Sequence, residues 1–316
     1  MEKGTQIALF IAICLIVVGV LVSVIALRGN DWSFSKSFVT NEHQITDTFK
    51  GISIKSDTAD IDFLSSADGV CRIVIYDHQK IEYTASVTDN TLLLGANDTR
   101  KWYQRLFTLG QAKISVYLPT TEYGALLIDE STGDISIPSG FSFESMSIKL
   151  STGDIFVGAS ASGALDISGS TGDIDIEKSS FGALKIALST GDVSLNGVNC
   201  AGVIGIDVTT GDTALNNVKS MGITSTGSTG DICLTNTIVT GALTVDRSTG
   251  DIEFNASDAS EITVTVSTGD VTGTLCSDKI FLVSTSTGRV NVPKSTTGGI
   301  FKCESSTGNV IISINQ

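Results

Sequence analysis

Eight aspartates recur along the second half of the chain at nearly constant spacing: Asp134, Asp154, Asp173, Asp192, Asp212, Asp231, Asp251 and Asp270. Each closes a Ser/Thr-Thr-Gly-Asp tetrapeptide. If the tetrapeptides stack, carboxylates stand every ~4.8 Å, and neighbours repel by roughly 1 kcal/mol even at the dielectric of water. Two chemistries can offset that. Turn N–H groups and hydroxyls can bond each carboxylate, which makes the Asp a corner residue. Alternatively, calcium ions are shared between neighbours, with Asp154, Asp173, Asp192, Asp212, Asp231 and Asp251 as ligands. The repeat is longer and less Gly-rich than the calcium-binding β-roll nonapeptide. The corner reading is therefore preferred and no cofactor is expected, with calcium as the alternative.

Other reactive constellations are sparse. His43 and His78 are the two histidines, and neither has a Cys or His partner at metal-binding spacing. No G-x-S-x-G elbow is present. Polysaccharide-cleaving solenoids gather Asp, Arg and Lys on irregular loops around a cleft, whereas these repeats are short and nearly uniform. No catalytic residue is expected, and a glycan-processing enzyme is the remote reading. Cys14, Cys71, Cys200, Cys233, Cys276 and Cys303 show no pairing pattern and read as small apolar fillers. Net charge is −14. Residues 126–316 carry most of it, with 21 acids against 9 bases. That argues against a nucleic-acid partner, which wants basic patches.

The aspartates must be positioned by a repeat. The motif Ser/Thr-Thr-Gly starts at Ser131, Ser151, Ser170, Ser189, Thr209, Ser228, Ser248, Ser267, Ser286 and Ser306, at intervals of 19 or 20 residues. In most repeats two apolar residues at period two follow it, such as Ile135/Ile137 and Ile174/Ile176. Another such pair precedes it by five and three residues, such as Leu126/Ile128 and Leu165/Ile167. Both read as half-buried strands. The two strands are out of phase, so the chain must turn between them. Gly133, Gly153, Gly172, Gly191, Gly211, Gly230, Gly250, Gly269, Gly288 and Gly308 supply the backbone freedom for that turn. A corner needed in every coil explains ten copies more simply than ten active sites. The expected fold is all-β: a parallel β-solenoid of about ten coils of 19–20 residues over 126–316.

The remaining chain frames this rod. Residues 1–6 are a short tail, and 7–27 form an uncharged stretch long enough to cross a bilayer as a signal-anchor helix. A cleaved signal ending near Val24 and Ala26 is the alternative. Residues 28–40 read as a linker. Residues 41–125 read as an N-terminal β cap over the first open edge, in which 51–66 resembles a degenerate coil. The insert at 99–110 is the least repetitive piece. Trp102, Tyr103, Arg105 and Phe107 there are a candidate interaction face, or else a plug over the end of the core.

The Ser-Thr-Gly-Asp-Ile repeats, the entry ISVYLPTTEYGALLIDESTGDISI at 114–137 and the insert from Asp98 to Phe107 resemble the bacterial "putative adhesin" family. The resemblance covers roughly residues 40–316. It implies a β-solenoid domain of unknown function in envelope proteins, and no catalytic residues. With the anchor, this gives a single-pass protein of the cell membrane. Its C-terminal domain would lie outside the cytoplasm as a structural or interaction module with an unidentified protein or glycan ligand. An accessory sensor or regulator of a membrane partner in envelope-stress signalling is the alternative.

Overall fold

The computed structural model describes residues 38–100 and 111–315, together with Ile16, Val18 and Gly19. The expected tail at 1–6, the rest of the membrane helix at 7–27 and residues 28–37 of the linker lie outside the described residues. So does 101–110, with Trp102, Tyr103, Arg105 and Phe107. Among the described residues no helix is long and apolar enough to cross a membrane.

From Phe38 onward the described chain is all-β, and apart from the antiparallel strands at its N-terminal end it forms a parallel β-solenoid with two sheets. The strand before each Thr-Gly corner lies in one sheet and the strand after it in the other. Because each coil carries the same alternation, like residues fall on like residues. Leu126, Met146, Leu165, Leu184, Ile204 and Ile223 are in register in the first sheet. Ile135, Ile155, Ile174 and Val193 are in register in the second. These columns face each other and are buried at 0–2 % exposure. A core only two sheets thick is thus continuous along the rod.

The N-terminal region adds β1 (Phe38–Ile45), β2 (Gly51–Lys55), β3 (Asp60–Ser65), β4 (Cys71–His78), β5 (Ile81–Thr88), β6 (Thr91–Asp98) and β7 (Lys113–Leu118). β2 and β3 are a coil lying directly against the first Ser-Thr-Gly coil. β6 and β7 stack in parallel on the far side of that coil. The sheets then end in antiparallel strands: β5 on β6, β4 on β7 and β1 on β4.

Stacking does not follow chain order at either end. β2–β3 precede β6–β7 in sequence yet lie between them and the repeats. At the other end, the coil of Gly299–Thr307 and Val310–Ile314 sits directly on the coil of Ile262 and Val271. The earlier segment, Lys279–Thr287 and Val290–Asn291, is pushed outward to form the last layer.

Candidate functional site

The repeated Thr-Gly-Asp corner is the most extensive arrangement of polar groups. Gly133, Gly153, Gly172, Gly191, Gly211 and Gly230 have φ between 132° and 141°, and Gly250, Gly269, Gly288 and Gly308 between 144° and 152°. Conformation is half of the requirement. A Cβ on Gly191 would stand 2.1 Å from the carbonyl oxygen of Gly172 in the coil beneath, and the same clash recurs along the column. The corners therefore stack backbone on backbone.

That contact leaves the Asp N–H turned out of the regular ladder. Gly133 donates to Thr152 O at 3.0 Å and Ile135 to Asp154 O at 2.9 Å, but the N–H of Asp154 points back at the previous coil. There it donates to Asp134 Oδ1 at 2.9 Å. The pattern continues through Asp173, Asp192, Asp212, Asp231, Asp251 and Asp270 at 2.7–2.8 Å. The first carboxylate is Asp60, which accepts from Asp134 N at 3.0 Å. The ladder ends out of sequence: Asn309 donates to Asp270 Oδ1, and Arg289 donates to Asn309 Oδ1 at 3.1 Å. Each carboxylate thus gives the next coil's Asp N–H a charge-assisted partner at a solvent-exposed edge of the coil–coil step. Among the described residues, no group of three or more His, Cys, Asp or Glu is placed to hold a metal ion.

A second corner lies eight residues after the start of five motifs. It is held by Lys178, Gly197, Asn217, Asn236 and Ala256, all with φ between 49° and 68°. Buried hydroxyls sit beneath it. Thr237 Oγ1 donates to Leu215 O at 2.8 Å and Ser257 Oγ to Leu234 O at 2.9 Å.

A cluster of titratable groups closes the N-terminal end. Asp77 is 5 % exposed, and its Oδ2 accepts the Tyr83 hydroxyl at 2.5 Å. Burial, reinforced by Asp77, pushes the Tyr83 phenol far up and keeps it a donor. Glu130 is 2 % exposed. Its Oε1 accepts from Ser131 N at 3.2 Å, while Oε2 is buried without a partner, as is Ser56 Oγ. Burial pushes the Glu130 carboxyl up to about 7. Nearby, Asp98 and Arg100 pair at 2.9 Å where the 101–110 insert begins. Burial, then Arg100 and Lys80, lowers the His78 imidazole.

The family model for Toastrack DUF4097 matches residues 49–275. The chain belongs to that family. No curated protein matches it. Similar solved structures include a putative adhesin from Bacteroides fragilis at 18% identity, covering 88% of this chain and 98% of that one with a TM-score of 0.44. A putative lipid binding protein from Parabacteroides distasonis is 13% identical, with 88% and 97% coverage and a TM-score of 0.47. A putative adhesin from the same species is 11% identical, with 85% and 97% coverage and a TM-score of 0.46.

The Toastrack match ends at Leu275, so the last two layers of the rod lie beyond it. Within the match, one departure from the repeat is a buried cation. Arg247 is 1 % exposed. Its Nη1 donates to Val208 O at 2.8 Å and Thr226 O at 3.1 Å, and its Nη2 to Thr213 Oγ1 at 3.0 Å. Room is made by Gly227, where a Cβ would stand 1.5 Å from Nη1. Thr213 and Ser225 replace apolar residues of the core columns beside it. The guanidinium is a tie across neighbouring coils of the Toastrack domain.

Proposed function

We propose that the chain is a non-enzymatic structural or interaction module of the cell envelope, of the adhesin-like kind. One N-terminal span would hold it to the membrane, with the solenoid outside. The observation that carries this reading is where the repeated residues are used. Each corner Gly faces a carbonyl oxygen of the neighbouring coil, and each Asp Oδ1 from Asp134 to Asp251 holds its neighbour's N–H. The invariant part of the repeat builds the rod, and the variable part faces outward. Outward positions on the second sheet read Ser136, Phe156, Asp175, Ser194, Ala214, Cys233 and Glu253. A rigid rod with long, varied faces and a strong acidic charge suits binding to an extended partner and stays soluble while doing so.

Two measurements test the reading. Protease added to intact cells removes 38–316 if the domain is outside, and protection until lysis overturns the placement. The full chain in mild detergent is then screened on glycan arrays and against envelope proteins. Turnover of a glycan by the purified chain would replace the binding reading with an enzymatic one.

A further inference from the structure

We propose that the C-terminal end of the rod is a homodimer interface. There the strand Lys279–Thr287 pairs antiparallel with the same strand of a second copy, about a two-fold axis through Val283.

The last layer is built like an inner coil yet left uncovered. Among the described residues, Lys279–Thr287 pairs only with Gly299–Thr307, and Val290–Asn291 only with Val310–Ile314. Side chains in its inward columns show the gap. Val310 is 0 % exposed, while Val290, in register with it one layer out, is 42 % exposed. Phe301 and Cys303 are at 0 %, while Phe281 and Val283 above them are only half-buried. Ile280 and Leu282 on the same strand are 37 % and 54 % exposed. A depression of about 550 Å³ opens there, lined by Phe281, Val290, Val292, Pro293 and Lys294. An edge strand with free N–H and C=O groups and apolar neighbours is a template for another strand.

Symmetry makes the strand its own complement. In an antiparallel pair centred on Val283, inward residues stay inward: Val283 meets the partner's Val283, and Phe281 meets the partner's Thr285. Outward, Leu282 meets the partner's Ser284. Strands ~4.8 Å apart bring these side chains into contact and continue the core from one rod into the next.

Charge opposes a second copy less at this end than along the rest of the rod. Each chain carries −14, which would keep copies apart along most of the rod. The segment 277–298 reverses the sign, with Asp278 against Lys279, Arg289 and Lys294. The acidic column has become Asn309 and then Arg289. Lys279 is neutralised internally by Asp258 at 2.6 Å. The chain's own undescribed insert cannot cover the face. Residues 101–110 are tied at both ends to the opposite end of the rod, roughly 60 Å away at ~4.8 Å per layer, and span at most ~36 Å when extended. This inference goes beyond the envelope reading and does not depend on it.

The test uses the full chain in mild detergent, followed by sedimentation across a concentration series. Leu282 and Ser284 are exposed, so changing them spares the fold. Leu282→Glu with Ser284→Glu sets like charges opposite each other twice across the axis. Leu282→Glu with Ser284→Lys sets opposite charges there instead. The native chain and the Glu/Lys variant should sediment as dimers with affinities within a few-fold of each other. The Glu/Glu variant should bind about a hundredfold more weakly. A native chain that stays monomeric to about 100 µM, or a Glu/Glu variant that dimerises as well as the Glu/Lys variant, overturns the proposal.

Discussion

At the N-terminal end the sheets run on past the last coil into antiparallel strands; at the C-terminal end they stop on a parallel coil. Both ends share one device. A later or earlier coil is threaded inside its sequence neighbour, so the outermost layer is never the chain's simple continuation. The finish differs. The N-terminal end turns polar, with Asp77, Tyr83 and Glu130 gathered behind β4 and β5. The C-terminal end stays apolar, with Phe281, Val283, Val290 and Val292 in the columns. One repeat can therefore be terminated by changing the strand direction or by leaving an edge for a partner. The two choices should fail under different insults.

The largest expected effect separates the middle of the rod from its C-terminal end. Gly191→Val and Gly288→Val create the same clash, with a Cβ 2.1 Å and 1.9 Å from the carbonyl below. Neither φ suits valine. In the middle the clash can be relieved only by parting coils on both sides, and the loss should be about 4 kcal/mol or more. At the end, the last layer can peel away instead, so the loss is capped at what that layer contributes. Hydrogen exchange should show general loss of protection for Gly191→Val and loss confined to 279–291 for Gly288→Val. Equal, global loss in both would mean that the rod does not unfold by layers.

Phe301 and Phe281 sharpen the same contrast in one column. Phe301→Ala empties a site with 0 % exposure and should cost about 4 kcal/mol. Phe281→Ala, half-buried and open on one side, should cost about 1–2 kcal/mol, read by denaturant unfolding of the monomer. A Phe281→Ala loss as large as that of Phe301→Ala would show the end coil to be already covered.

The polar end should respond to pH where the apolar end does not. Glu130 holds its proton to about pH 7 in the fold but would lose it near 4.5 when unfolded. Its contribution therefore falls as pH rises from about 4.5 to 7 and stays low above that. The full swing is about 3 kcal/mol at ~1.4 kcal/mol per pH unit. Glu130→Gln keeps the site neutral, so it should remove that slope and stabilise the chain at pH 8 while changing little at pH 4. A native slope that survives the substitution would place the titration elsewhere.

The coils, their period, the corner and the two inward columns were legible in the sequence because the motif is written ten times and the apolar pairs in most repeats. What was not legible is written once. Stacking order depends on long-range pairing, and the Ser286 and Ser306 motifs look equivalent until Asn309 is seen bonded to Asp270. The clash that excludes any Cβ at the corners belongs to two coils at once, so one copy of Ser-Thr-Gly-Asp cannot show it. Other signals in the sequence are fainter. Asn217 and Asn236, each eight residues after a motif start, announce a left-handed corner, whereas Lys178 and Ala256 in the same place do not. Thr213, Ser225 and Gly227 break the apolar columns together, which marks the pocket that Arg247 fills. Glu130 stands immediately before its motif, in register with Leu150, and that position alone marked it as buried.

The smallest effect concerns the aspartate ladder that joins the two ends. Its last rungs show what it needs. Asn309 fills an aspartate position, and its Oδ1 accepts Arg289 N at 3.1 Å as a carboxylate would. An amide therefore does the same work in the native chain, without charge. Asp192→Asn keeps an oxygen for the Asp212 N–H, now held at 2.8 Å, and should change stability by no more than about 0.5 kcal/mol. Asp192→Ala removes that oxygen, leaves the donor to water and should cost about 1 kcal/mol. If the carboxylates instead shared calcium, each site would add its binding free energy to the fold, about 1.4 kcal/mol at ligand tenfold above Kd. Chelator would then lower the melting temperature by several degrees. The expected shift between millimolar calcium and excess chelator is no more than about two degrees. A larger calcium stabilisation, abolished when Asp173, Asp192 and Asp212 are all changed to Asn, would make the corner a metal site and bring the cost of Asp192→Asn up towards that of Asp192→Ala.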